Sequence, residues 1–142
     1  MAISRNAILD ALTARLATIP DLKECSRVLK MPDDAAQPAI YVACIEQATT
    51  KNPGCPFVWQ LGAELYVYNK DANAAGAGPG LHALMDAIEA KLERQRDEDS
   101  IELTTTLGGL VYTTNIQSLV VDEGHFTPQG VAVLKVQITA TA

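Results

Sequence analysis

Between Phe57 and Asn69 the chain reads FVWQLGAELYVYN. Phe57, Trp59, Leu61, Ala63, Leu65 and Val67 fall on one parity, with Gln60, Glu64, Tyr66 and Tyr68 on the other. A period of two sustained over this length is the signature of a β-strand with one dry face and one half-polar face. Such a strand needs neighbours to pair with and something apolar to cover its dry side.

The rest of the sequence supplies both. From Ser4 to Ile19 the apolar residues Ile8, Leu9, Leu12, Leu16 and Ile19 recur every three or four positions, with Ser4 placed to cap and Pro20 to stop the run. A second stripe of Leu81, Leu84, Met85, Ile88 and Leu92 starts after Pro79, a favoured first helical position, and predicts a helix through Gln95. Two amphipathic helices follow.

Further strands are expected at Glu24–Lys30, more weakly, and at Pro38–Gln47, whose near-continuous apolar character predicts a central strand covered on both faces. Leu110–Val121 carries apolar residues on both parities. Val131–Ala140 sets Ala132, Leu134, Val136 and Ile138 against Val131, Val133, Lys135 and Gln137. Proline- and glycine-bearing loops are read at Thr49–Pro56 and Asn69–Gly78, and Arg94–Ser100 as a solvated charge cluster. Short links favour antiparallel pairing. The expected fold is a single α+β domain over residues 1–142, a mainly antiparallel or mixed sheet of about five strands under two helices.

Chemistry is poorly represented. Cys25, Cys44 and Cys55 form no CxxC pair and His82 and His125 stand apart, which argues against zinc; Cys44, inside an apolar run, is expected in the core and all three thiols free. Glycines at 76–80 precede a helix, but no Lys-Ser/Thr follows and Pro79 removes a backbone donor, so no phosphate cradle is predicted. The acid pairs Asp33–Asp34 and Asp122–Glu123 fall in turns, where carboxylates are ordinarily solvated. His125 follows Glu123 closely, yet no nucleophile in a recognisable context accompanies them. No catalytic residue, metal ligand or cofactor is assigned. The net charge of −6 disfavours sequence-specific nucleic-acid binding, and no run approaches the roughly eighteen apolar residues of a membrane span. Neither a signal peptide nor a membrane partner is expected.

Taken together, LHALMDAIEAKLE (Leu81–Glu93), TLGGLVYTTNIQSLVVDEG (Thr106–Gly124) and GVAVLKVQITA (Gly130–Ala140), with SRVLKMPDDAAQPAIYV (Ser26–Val42) and WQLGAELYVY (Trp59–Tyr68) upstream, resemble the tail terminator family of long-tailed bacteriophages, the minor tail protein U-like group. The resemblance implies a non-enzymatic virion protein, assembled in the host cytoplasm and placed in the tail or neck. It implies a homo-oligomeric, hexameric ring that caps the head-proximal end of the tail tube, stops tube growth and joins head-tail connector or neck proteins. DNA would cross its lumen without sequence-specific binding. Other ring-forming neck, tail-completion or tail tube proteins are the neighbouring alternative; a small-ligand-binding or hydrolytic enzyme using His125 is a more distant one. Candidate interface residues are Lys51 and Asn52 in the hairpin loop and Asp122, Glu123, His125 and Phe126 at the end of the Leu110–Val121 strand.

Overall fold

The computed structural model describes residues 4–70, 78–92, 95–96, 102–103, 107, 109–122 and 129–141. Helix α1 (Arg5–Leu16) begins where Ser4 accepts a hydrogen bond from Ala7 N at 3.2 Å. It is followed by strand β1 (Glu24–Ser26), a 3-10 turn (Pro32–Asp34), β2 (Ala39–Thr50), β3 (Val58–Lys70), helix α2 (Gly78–Leu92), β4 (Gln95–Arg96), β5 (Glu102–Leu103), β6 (Thr113–Asp122) and β7 (Gln129–Thr141). Five strands form one mixed sheet in the order β1-β2-β3-β7-β6, while β4 and β5 pair separately.

Both helices cover the same face. Ile8, Leu9, Leu12 and Leu16 of α1 and Leu81, Leu84, Met85, Ile88 and Leu92 of α2 pack with Ile40, Val42, Leu61, Ala63, Leu65, Val67 and the even-numbered residues Ala132–Ala140 of β7 in one core. These are the stripes and the dry parities that the periodicities predict. Each fully buried Leu or Ile there contributes about 1.5–3 kcal/mol of transfer free energy. Among the described residues the opposite face is covered only at one end, where Tyr41 and Tyr68 pack with ring centroids 5.5 Å apart against Ala39, Ala35, Tyr66 and Val131. Elsewhere it is polar: Lys135 lies between Glu64, its register partner, and Glu46, to which its ammonium is ion-paired at 2.7 Å.

Several expectations are corrected. The central strands are β3 and β7; β2 is buried only over Ala39–Val42. The strand after α1 spans three residues, not Glu24–Lys30, and it pairs parallel to β2, since residues 27–38 carry the chain back before β2 begins. Cys44 is exposed and not in the core. Because β1 ends opposite Tyr41, β2 has no outer neighbour strand among the described residues at the height of Cys44. Phe57 precedes β3 and is exposed, its ring under Lys51 Nζ at 5.3 Å from the centroid. Helix α2 stops at Leu92, and Gln95 and Arg96, read as helix end and charge cluster, are paired with Leu103 and Glu102.

Two β-bulges complete the geometry. In β2 the register passes from Cys44 opposite Ala63 to Glu46 opposite Gly62, leaving Ile45 extra; in β6 it passes from Ile116 opposite Val136 to Ser118 opposite Lys135, leaving Gln117 extra. One extra residue exchanges the two faces of a strand. In β6 the helix side therefore carries Thr114 and Ile116 before the bulge and Leu119 and Val121 after it, which is why apolar residues occupy both parities of its sequence.

Candidate assembly surfaces

Among the described residues no group of three or more His, Cys, Asp or Glu side chains is placed to hold a metal ion. Two surface cavities of about 300 Å³ lie among the described residues. One is lined by Gly109, Leu110, Val111, Tyr112 and Thr141, the other by Ile19, Leu22, Leu84 and their neighbours with Asp21 and Asn69. Neither brings a carboxylate, a base and a nucleophile together among the described residues. Cys25 is half buried, which pushes its thiol up to about 11 and leaves it protonated at neutral pH.

The predicted interface residues that are described, Lys51, Asn52 and Asp122, do not converge. Lys51 and Asn52 occupy the exposed tip of the β2–β3 hairpin, where Asn52 O accepts from Cys55 N at 3.1 Å and Gly54 takes the positive φ of 76° that the turn requires. Asp122 is exposed at the other end of the sheet, since the hairpin tip lies level with Thr141 of β7 and Asp122 is level with Val131. The separation along β7 is roughly 33 Å. Glu123, His125 and Phe126 lie outside the described residues.

What the sequence reading missed is the segment after β1. Val28, Leu29 and Met31 are exposed by 69%, 50% and 71%, three large apolar side chains on one short loop. The loop is built, not loose. Arg27 donates to Asn6 Oδ1 at 3.1 Å and is ion-paired with Asp10 at 3.0 Å; Val28 N donates to Ser26 Oγ at 3.0 Å. The Glu24 carboxylate grips both ends, one oxygen 2.7 Å from Lys30 Nζ and the other accepting from Ala36 N at 3.1 Å. Tyr68 donates to Lys30 O at 2.9 Å, and Gln37 and Gln129 exchange amide hydrogen bonds of 2.8 and 2.9 Å beneath the 3-10 turn. The pattern RVLKM reads as strand because its apolar residues look like core; the only local sign otherwise is the enclosure of Val28 and Leu29 between Arg27 and Lys30.

Glu24 is the electrostatic centre of this arrangement. The Lys30 ammonium first, then the Ala36 amide, hold its carboxyl below the usual carboxylate range. Beside it, the Tyr41 hydroxyl is buried without a hydrogen-bond partner among the described residues, and burial first, then the neighbouring Glu24 carboxylate, push it up to about 12. A depressed folded-state pKa means that the tether contributes fully above the ordinary carboxylate value and is lost as pH falls through the lower folded value. An NMR titration of the Val28, Leu29 and Met31 methyls should therefore show the loop loosening only below the ordinary carboxylate range. The Glu24→Gln variant should lack that transition; a midpoint at or above the ordinary value would contradict the tether.

A second exposed apolar pair lies on the opposite edge of the sheet: Leu119 is 43% and Val120 72% exposed on β6. From Thr113 to Val121 this edge strand has no charge and no proline, so it lacks two of the common devices that keep sheet edges from pairing with another chain. Its one protective irregularity is the bulge at Gln117. The molecule is thus an α+β domain whose least ordinary features are surfaces.

Comparison with solved structures gives the same fold. A chain from the virion of a native gene transfer agent particle superposes with a TM-score of 0.57 over 96% of this chain and 96% of its own length, at 11% sequence identity. A scan against protein-family models and a search of curated proteins return no match.

Proposed function

We propose that this chain is a virion structural protein, a tail terminator that acts by shape as one subunit of a six-membered ring on the head-proximal end of a tail tube. The observation that carries the reading is the likeness of fold, nearly end to end in both chains, to a chain of the virion of a gene transfer agent particle. The ordered resemblance of five sequence segments to the tail terminator family supports the finer assignment, and the exposed apolar loop and uncharged edge strand are what a subunit that assembles would carry. The net negative charge suits a ring through which DNA slides without sticking; a lumen lined mainly by Lys and Arg would contradict that part.

Electron microscopy of particles made without the protein tests the reading. Tail tubes of uncontrolled length, not joined to filled heads, are expected. Tails of normal length on filled heads would refute a terminator role, and purified protein that grows by itself into long cylinders would identify a tube subunit instead.

A further inference from the structure

The two exposed apolar patches stand at the same height on opposite edges of one sheet. Across the strands the register runs Ser26, Tyr41, Tyr66, Val133, Val120, so the residue from which the loop departs and the most exposed residue of β6 share one transverse row. Four interstrand spacings separate them, roughly 19 Å. A copy placed beside the first, with no slide along the strands, brings the loop of one to the β6 edge of the next.

The chemistry of the two edges is complementary. Arg27-Val28-Leu29-Lys30 sets an apolar pair between two cations; Leu119-Val120-Val121-Asp122 sets apolar residues before an anion. The match extends to the two sides of the sheet. Arg27 reaches to α1 on the helix side, whereas Lys30 is tied to Glu24 and its carbonyl to Tyr68, on the open side. On β6, Leu119 shares the helix side with Leu134, and Val120 and Asp122 share the open side with Val133 and Val131. Lys30, its side chain 44% exposed despite the Glu24 contact, is therefore on the same side as the acid it would meet.

We propose that the Arg27–Met31 loop of one copy packs on Leu119, Val120 and Asp122 of the next copy, a head-to-tail contact between unlike patches. Such a contact repeats in one direction and closes into a ring when the rotation permits, whereas a two-fold contact would pair like with like. The loop's tethers mean that little backbone freedom remains to be lost on docking. The inference deepens the proposed ring by naming the surfaces that join its subunits.

Cysteine cross-linking of the full chain tests it, with Cys44 and Cys55 replaced by serine. Leu29→Cys and Val120→Cys variants, mixed with a short bismaleimide in the presence of tail tubes, should give covalent dimers that neither variant gives alone, and a chain carrying both substitutions should give a ladder. Lys30→Glu should abolish the products and Lys30→Glu with Asp122→Lys restore them, with circular dichroism unchanged throughout. Native mass spectrometry and electron microscopy report rings separately. Rings without the Leu29–Val120 product, or products from one variant alone, overturn the proposed contact and leave the ring; absence of rings in solution and on tube ends overturns both.

Discussion

Replacing Leu65 with alanine is expected to cost about 3–5 kcal/mol, the upper part of the range for a leucine deleted from a closed core. Leu65 is fully buried on β3, with Val42 and Leu134 as its register partners on either side, and both of those are buried under the helices as well. The central strands are paired on both edges along most of their length, so the backbone has little freedom to collapse into the space left behind. Since domains of this size have roughly 5–15 kcal/mol of stability, the change removes a large share of it. Chemical denaturation reads the loss directly. The control is Val120→Ala on the outer strand, where the side chain is mostly solvated and a change within about 0.5 kcal/mol is expected. A Leu65→Ala cost no greater than the control's would mean that the two-layer core is not closed as described.

Leu12→Asp should have the larger consequence and prevent folding at neutral pH. Leu12 is fully buried on α1, and among the described residues no fully buried side chain is a cation; Arg15, one turn on, is only partly buried and its Nε is already bonded to Lys91 O. An unpaired buried charge is strongly destabilising, and the group escapes by binding a proton, so its folded-state pKa would be raised. The penalty is then greatest above that raised value and is relieved as pH falls towards it. Two residues earlier, Asp10 is exposed and meets Arg27, and Asp10→Asn should leave the fold intact. Near-ultraviolet circular dichroism and amide dispersion separate the two outcomes; a cooperatively folded Leu12→Asp protein at neutral pH would show that α1 does not seal the core.

How much of this was legible in the sequence depended on whether a segment's facing is decided locally. The stripes of α1 and α2 and the parities of β3 and β7 are, because each repeats against a single partner layer, and all four lie where the periodicity puts them. The facing of β6 is not, since the extra Gln117 exchanges sides in mid-strand. Nor is the parallel pairing of β1, three residues long and held by contacts made far along the chain. The Cys44 environment misled for a related reason, because the apolar run around it stays apolar past the point where its neighbouring strand has ended. Among the candidate contact residues, Lys51, Asn52 and Asp122 are indeed at the surface, as turn-forming and charged residues should be. The apolar loop at Val28–Met31 was hidden by its own composition: without knowledge of the Glu24 and Tyr68 tethers, exposed valine, leucine and methionine look like residues awaiting burial.

The paired irregularities at Ile45 and Gln117 bear on how relatives of this chain can vary. Loss of either residue alone would leave Cys44 and Glu46, or Ile116 and Ser118, as successive residues of a regular strand with the same partners and the same faces, so a single loss is tolerable at these two positions, whereas a single gain or loss within a regular stretch turns every side chain beyond it to the other side. The inner pair, β3 and β7, runs in unbroken register from Val58–Thr141 to Lys70–Gln129 and has no such slack. Divergent relatives should therefore keep the lengths of these two inner segments and differ in the outer ones.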